Sequence, residues 1–212
     1  MAARKRDESA TPFDYDEAYA DLARSMGSLH ILRIGEMPHI DLYLDQVLSI
    51  VSTELAPLYE QDEKIVTASM VHNYVRHHVI PAPRRKRYTC HHLASLISVC
   101  ILKRVLSISQ VAELFSLCRD ASVDLSASYD QLLHAFEGTL AARFTQTPES
   151  APQAGSPSLH LVGLGGEPVT GTLQSLLEGV IGLVANKVYT DKVLPLEVGR
   201  MRARAKAGLD HR

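Results

Sequence analysis

One stretch of this chain, Lys64 to Ala112, constrains the fold most, because helical apolar patterns lie on both sides of a sharp interruption. Apolar residues recur three or four positions apart on either side, which indicates amphipathic helices. The interruption consists of Pro81-Ala82-Pro83, which ends the first helix, and the basic run Arg84–Arg87. We predict helices at about 67–79 and 90–105, joined by an exposed basic loop.

The same stretch contains no aspartate or glutamate, and it holds eight lysine or arginine residues. The whole chain has 22 basic and 24 acidic residues, so the remainder carries 14 basic against 24 acidic ones, a net charge of about −10. A near-neutral total therefore conceals a basic segment within an acidic protein. Such a segment attracts a nucleic-acid backbone whatever its base sequence.

Composition and cysteine usage narrow the class of protein. The chain is 46% hydrophobic but only 6% aromatic, with no tryptophan, which favours helices packed on helices. Cys90, Cys100 and Cys118 are too few and too scattered for a disulfide framework, which favours a reducing compartment. The first residues lack the apolar core of a signal peptide, and no apolar run approaches a membrane span. We expect a soluble, cytoplasmic protein.

Helices are also expected on the N-terminal side of the basic stretch. Thr11-Pro12 is predicted to begin a first helix. Asp41 is predicted to cap a second helix, which ends before Pro57. The helix predicted at 90–105, which Thr89 can cap, is apolar on most sides, so we expect it to be the central buried helix.

Further helices are predicted after the basic stretch. Ser107 and Gln110 have the spacing of a capping box at the start of one helix. Another is predicted from about Ser128, and a last amphipathic helix spans Leu173 to Leu194. For residues 159–169 the sequence allows two interpretations: a short strand followed by a turn, or irregular coil.

The helix predicted at 67–79 has an apolar and a polar face. Its apolar side comprises Met70, Val71, Tyr74, Val75 and Val79. Its polar residues are Ser69, His72, Asn73, Arg76 and His77. Arginine, asparagine and serine match the donors and acceptors of base edges in the DNA major groove. We predict that this helix is a recognition helix; an exposed helix face without a ligand is the alternative.

The basic loop is the second predicted DNA contact. Four adjacent cations, Arg84, Arg85, Lys86 and Arg87, are followed by Tyr88. Beside a recognition helix, such a loop (84–88) would form a wing that contacts phosphates and the minor groove. It would contribute affinity more than sequence choice. A solvated charged loop is the alternative.

The order of these motifs resembles the winged DNA-binding domain of MerR-type transcription regulators. In that family, a recognition helix with an Arg-x-Tyr core ends in a Leu-Leu-Pro-like stop. An Arg-x-Tyr wing and then a Gly-Phe-Ser-Leu-x-Glu-Ile turn follow. Tyr74 and Val79-Ile80-Pro81 fit the first part, and Lys86 and Tyr88 fit the wing. The residues that fit the turn are Ser107, Ile108, Gln110 and Val111.

The chain departs from that pattern at His72, His78 and Val105-Leu106, which occupy its Arg, Gly and Gly-Phe positions. It more closely resembles a bacterial family catalogued as domain of unknown function 1836. The motifs that carry this resemblance include PHIDLYLDQVLSIV, TASMVHNYVRHHVIPAPRRKRYT and ANKVYTDKVL. It covers residues 37–145 and, more weakly, 170–194. The resemblance implies a mostly helical protein with a MerR-like winged domain, and it supplies no activity.

The predicted fold class is all-α, with a MerR-like winged helix-turn-helix core and flanking N- and C-terminal helices. We expect residues 1–36 to form a charged tail and helix, and residues 37–120 to form the winged domain. Residues 121–145 are predicted to be a helical extension, and residues 146–158 a linker. Residues 159–212 are predicted to form a C-terminal helical region for dimerisation or sensing.

We expect a transcriptional regulator that binds double-stranded DNA as a homodimer, because two recognition helices then meet half-sites one helical turn apart. A small-molecule effector would bind between the C-terminal helices. One alternative remains open, a helical protein–protein interaction scaffold that kept the winged fold without binding DNA. The sequence contains no recognisable catalytic triad or metal-ligand framework, so no enzymatic activity, cofactor or metal is expected.

Overall fold

The computed structural model describes residues 13–145 and 159–209. These ranges form seven α-helices and a two-stranded antiparallel sheet, so the architecture is mainly helical as predicted. The helices are α1 (Tyr15–Gly27), α2 (Leu44–Leu55), α3 (Ala68–Arg76), α4 (Cys90–Leu102), α5 (Ile108–Asp120), α6 (Leu125–Thr145) and α7 (Thr172–Leu209). The strands are β1 (Leu161–Val162) and β2 (Pro168–Val169), and short 3-10 turns cover Ile34–Glu36 and Ala56–Leu58. None of the helices in these ranges is long and apolar enough to cross a membrane.

The central element is α4, because apolar side chains surround it on almost every side. Eight of its 13 residues are buried. Leu93, Leu96 and Ile97 are completely inaccessible to solvent. The helix packs against α2, α6 and α7. The prediction of a central buried helix is confirmed.

A second layer consists of α1, α6 and α7, which all contact one another. Side-chain carboxylates on α6 hold the irregular segment between α1 and α2 against this layer. The Ile31 N–H donates to Glu137 at 2.8 Å, and the Ile34 N–H donates to Asp130 at 3.0 Å. Arg33 also pairs with Glu137. These bonds satisfy backbone groups that have no helix or sheet partner.

Three predicted helix caps are confirmed. The Thr67 hydroxyl accepts a hydrogen bond from the Met70 N–H at 3.2 Å, at the start of α3. Thr89 is the N-cap of α4. The Ser107 N–H donates to the Gln110 side chain at 2.8 Å, which forms the expected capping box of α5.

The predicted cap at Asp41 is wrong, because α2 begins at Leu44 with Tyr43 as its N-cap. Leu42 instead pairs with Tyr88 through two backbone hydrogen bonds of 2.8 and 2.9 Å. This long-range bridge keeps the chain extended where the helix was expected to start.

Two other helices start at aspartates. The Asp14 carboxylate accepts from two N–H groups of the first turn of α1, at 3.0 and 3.1 Å. The predicted start at Thr11-Pro12 lies outside the described residues. Asp124 caps α6 in the same way, at 2.9 and 3.0 Å, so this helix begins three residues before the predicted Ser128.

The last helix was predicted to end at Leu194, but α7 continues through Pro195 to Leu209. A proline inside a helix removes a hydrogen bond and crowds the preceding turn. Just after this proline, α7 packs against α1. At Gly199 the backbone lies so close to α1 that a Cβ would be 2.9 Å from the Tyr15 ring.

Residues 159–169 form a small hairpin, which decides between the strand and the coil that the sequence allowed. Leu161 pairs with Val169, and Val162 pairs with Pro168. The Asp124 N–H donates to the Val162 carbonyl at 2.9 Å, which joins the hairpin to the start of α6. The predicted linker, 146–158, lies outside the described residues.

Candidate nucleic-acid interface

The predicted polar face of α3 lies at the surface. Its five candidate residues are Ser69, His72, Asn73, Arg76 and His77, all exposed except the half-buried Asn73. Val71 and Tyr74, with 0% and 4% exposure, hold the opposite face in the core. The Arg76 guanidinium donates to the Asn73 side-chain oxygen at 2.7 Å. These two side chains therefore present a paired set of donors to solvent.

The helix α3 ends at Arg76 rather than at the predicted Val79, because a Schellman motif closes it. The Val79 N–H donates to the Tyr74 carbonyl at 2.9 Å, and the His78 N–H donates to the Val75 carbonyl at 3.1 Å. His78 has a φ of 55°, in the left-handed region that favours glycine. The chain thus leaves α3 through a fixed, strained turn.

The run Arg84–Arg87 folds into a tight turn, here called the basic turn. The Arg87 N–H donates to the Arg84 carbonyl at 2.9 Å, and the two residues form an antiparallel bridge. Arg85 and Lys86, between them, have φ values of 49° and 61°. Positive φ at both central residues is the pattern of a type I′ hairpin turn, which normally selects Asn-Gly. This turn instead carries two exposed cationic side chains.

Arg87 anchors the basic turn to the residue before α2. Its guanidinium lies over the Tyr43 ring, 3.5 Å from the ring centre, and donates to the Tyr43 hydroxyl at 2.6 Å. Arg84, Arg85 and Lys86 are exposed and form no ion pair within the described residues. Three cations of the turn are therefore available to an external anion.

Tyr88 was predicted as part of the wing, and the structure places its side chain in the core, with 3% exposure. Its ring packs edge-to-face on His92 with the ring centres 5.6 Å apart, and burial raises the pKa of the Tyr88 hydroxyl. Through this packing and its backbone bridge to Leu42, Tyr88 anchors the end of the basic turn to the core.

His92 closes the first turn of α4 directly after the basic turn. Its Nδ1 accepts from the Thr89 N–H at 3.1 Å, in the position where a capping box normally has Glu or Gln. Burial lowers the pKa of His92, which favours the neutral ring that this hydrogen bond requires.

Two basic residues of the acid-free stretch are half-buried and interact with other groups of the protein. The Lys103 ammonium donates to the Ile65 carbonyl at 3.1 Å. Arg104, with 5% side-chain exposure, donates to Asp191 of α7 at 2.5 Å and lies over the Tyr59 ring at 4.4 Å. The basic surface is therefore smaller than the residue count indicates, and it is concentrated at α3 and the basic turn.

Metal binding and thiol chemistry are other functions that histidine and cysteine side chains could support. The described ranges contain no group of three or more His, Cys, Asp or Glu residues that could hold a metal ion. Cys90, Cys100 and Cys118 are free thiols. Burial raises the pKa of Cys100 to about 12, so its reactive thiolate form is disfavoured.

Comparison with known proteins gives a family and no function. Neither a curated protein nor a solved structure matches the chain. The model of a family described as Domain of unknown function (DUF1836) matches residues 32–136. These residues include α2 to α5, the basic turn and the first half of α6. Over this segment, just under half of the chain, the protein is similar to the DUF1836 family.

Proposed function

We propose that this protein binds double-stranded DNA through α3 and the basic turn, and that it regulates transcription. The observation that carries the proposal is the succession of an exposed polar helix face and a turn with three unpaired cations. The Schellman turn at His78 and the prolines Pro81 and Pro83 fix the path between them. No acidic residue interrupts the sequence from 64 to 112.

The polar face of α3 suits the major groove. An exposed arginine can donate two hydrogen bonds to guanine, and asparagine can pair with adenine. The hydrogen bond between Arg76 and Asn73 holds these side chains together before DNA arrives, so fewer rotamers are lost on binding. In this proposal Ser69, His72 and His77 contact neighbouring bases or phosphates.

The basic turn suits the phosphate backbone. Its left-handed residues hold Arg85 and Lys86 at the tip, and strained backbone of this kind is concentrated at functional sites. The stack of Arg87 on Tyr43 joins the turn to α2, which packs against α3. The turn therefore has a defined place relative to the helix, as a wing requires.

A homodimer is part of the proposal, and α7 supplies its surface. Five large apolar residues on α7 are exposed, by 36 to 69%: Leu176, Leu183, Leu194, Val198 and Met201. At about 100° per residue, they fall within roughly 60° of one another around the helix. A single apolar stripe on a long helix is typical of a seam between helices. Two copies joined there would present two recognition helices to DNA.

Light scattering after size-exclusion chromatography tests the seam. We expect a dimer that Leu183→Glu converts to a monomer. Leu164→Glu is the matched control, because Leu164 is 74% exposed but lies in the hairpin, away from the stripe. A monomeric wild-type protein would contradict the dimer and leave DNA binding to be tested separately.

Fluorescence anisotropy tests DNA binding. We would compare the DNA upstream of this protein's own gene with a scrambled duplex. Asn73→Ala and Arg76→Ala should reduce the preference for one site by roughly 1–3 kcal/mol if a base edge is read. Arg85→Ala and Lys86→Ala should weaken binding to both duplexes alike. Arg202→Ala, at an exposed position on α7, is the control for loss of charge.

The scaffold alternative predicts a different result. A helical interaction protein would show no binding to either duplex below about 10 μM, which is within the range of non-specific affinity. Such a result would contradict the proposed function, and a search for a protein partner would follow.

A further inference from the structure

A cavity of about 740 Å³ lies away from the exposed face of α3 and outside the basic turn. It lies between α4, α5, α6 and α7, and the residues that follow α3 close one side. Leu114, Leu133, Phe136 and Ile181 are among its many apolar lining residues. Small-molecule sites are commonly apolar and measure about 300–1,000 Å³.

The few polar groups in the α4 wall are already hydrogen-bonded. The Ser95 hydroxyl donates to the His91 carbonyl at 2.8 Å, and the Ser98 hydroxyl donates to the Ala94 carbonyl at 3.0 Å. Their protons are thus used within the helix. The wall offers a ligand mostly apolar contact, which suits a hydrocarbon or aromatic body.

The charged or chargeable nitrogen groups that line the cavity are all basic, and no carboxylate lies among them. Arg119 lines the cavity, is exposed and makes no ion pair within the described residues. His78 and His91 are the other titratable bases of the lining, and it includes no aspartate or glutamate. His91 is hydrogen-bonded to Ser126 at 3.1 Å. An apolar chamber whose only permanent charge is a free guanidinium matches a molecule with an apolar body and one anionic group.

We propose that this cavity binds a small amphiphilic carboxylic acid, with its apolar body among α4 to α7 and its carboxylate at Arg119. Val75, His78 and the residues 79–82 also line the cavity. The same segment joins α3 to the basic turn, so a bound molecule would contact the connection between recognition helix and wing. Only this regulatory consequence rests on the proposed function; the binding itself does not.

Calorimetric titration of the full chain, without DNA, tests the binding. The probes are decanoate, below its micellar concentration, and decan-1-ol, which has the same chain length and no charge. We expect decanoate to bind with one molecule per chain. Arg119→Gln should weaken decanoate binding by about fivefold, the upper range for an exposed charge pair, and leave decan-1-ol binding unchanged. Arg202→Gln is the matched control, because Arg202 is exposed and is not among the lining residues.

Filling the cavity with a larger side chain tests whether the probes bind inside it. Ser98→Phe places a large side chain into it and should abolish binding of both probes. Ser116→Phe makes the same change on α5 at a residue outside the lining, and should not affect binding. If circular dichroism shows that Ser98→Phe does not fold, Ser95→Leu replaces it.

Three results would overturn the proposal. The first is that neither probe binds to the wild-type chain. The second is that a folded Ser98→Phe or Ser95→Leu variant keeps wild-type affinity, which would place binding elsewhere. The third is that Arg119→Gln affects both probes equally or neither, which would remove the carboxylate from the ligand class. Since DNA is absent, none of these results bears on DNA binding.

Discussion

The left-handed backbone of the basic turn allows one double variant to test stability and the proposed DNA binding, which should change in opposite directions. Arg85→Asn combined with Lys86→Gly replaces cations at φ values of 49° and 61° with the residues that best tolerate positive φ. We expect the double variant to unfold at a higher temperature than the wild type and to bind DNA more weakly.

The magnitude follows from the two backbone positions. A left-handed conformation costs a non-glycine residue about 1–2 kcal/mol. Glycine at position 86 removes that cost, but the greater freedom of the unfolded chain takes back about 0.5–1 kcal/mol. Asparagine at position 85 tolerates a positive φ better than arginine does, so it removes part of the strain energy at that residue as well. The net gain is about 1 kcal/mol, or roughly 2–4 °C in Tm for a chain of this size.

Thermal unfolding followed by circular dichroism measures the gain, with a matched pair of single variants as the control. Arg84→Asn and Arg85→Asn make the same chemical change and remove the same charge at adjacent exposed positions. Only Arg85 of the two has a positive φ, so only Arg85→Asn should raise the Tm.

The strain argument fails if the double variant melts at or below the wild-type temperature, or if the two single variants change the Tm equally. DNA affinity is a separate readout. An unchanged affinity in the stabilised variant would mean that the tip of the basic turn does not contact DNA.

Three further predictions concern the surroundings of the site. His78→Gly should raise the free energy of unfolding in urea by about 1 kcal/mol, because φ is 55° there, whereas His78→Ala should give no gain. Burial lowers the pKa of His92 in the folded protein. As the pH falls below about 6.5, His92 is therefore protonated first in the unfolded chain, and the free energy of unfolding decreases. The decrease ends once the pH is below the lower pKa that His92 has in the folded protein. In denaturant titrations at several pH values, His92→Gln should keep the cap of α4 and lose less stability in this range. Asp191→Asn should cost about 1.5–3 kcal/mol in the same urea assay, the range for a hydrogen bond to a charged group, because the buried Arg104 guanidinium then keeps only its longer ion pair with Glu63 at 3.8 Å. Arg104→Met in addition should restore part of that loss.

Short-range sequence patterns are sufficient to predict several elements of the structure. The caps at Thr67 and Thr89 follow from a threonine placed directly before an apolar helical run. The cap at Ser107 follows from its capping-box spacing with Gln110. The burial of α4 follows from apolar residues on nearly all of its sides. The polar face of α3 follows from its helical period, and the structure places that face in solvent.

Other features depend on contacts between distant residues, which one sequence does not reveal. The bridge from Leu42 to Tyr88 moved the start of α2, and the contact of α7 with α1 carried that helix through Pro195. The same holds for Arg104, a basic residue in the sequence that the fold buries against Asp191. The apolar cavity arises only when four helices are assembled, so no local pattern indicates it.

Left-handed residues were a partial exception. The resemblance to MerR-type regulators marked His78 as standing where glycine is usual, and the structure gives this residue a positive φ. No comparable signal marked Arg85 and Lys86, because neither has the Asn-Gly chemistry that identifies a two-residue hairpin turn.

The salt dependence of DNA affinity tests the central claim most directly. It would be measured for the wild type, for a variant with Arg84, Arg85 and Lys86 changed to glutamine, and for a control with Arg202, Arg204 and Lys206 changed to glutamine. The control removes the same charge from exposed positions on α7. If each cation of the basic turn neutralises one phosphate, the slope of log K against log salt should become shallower by about 2.7 in the first variant and stay unchanged in the control. Equal slopes in all three proteins, or no binding by the wild type, would contradict DNA binding through the basic turn.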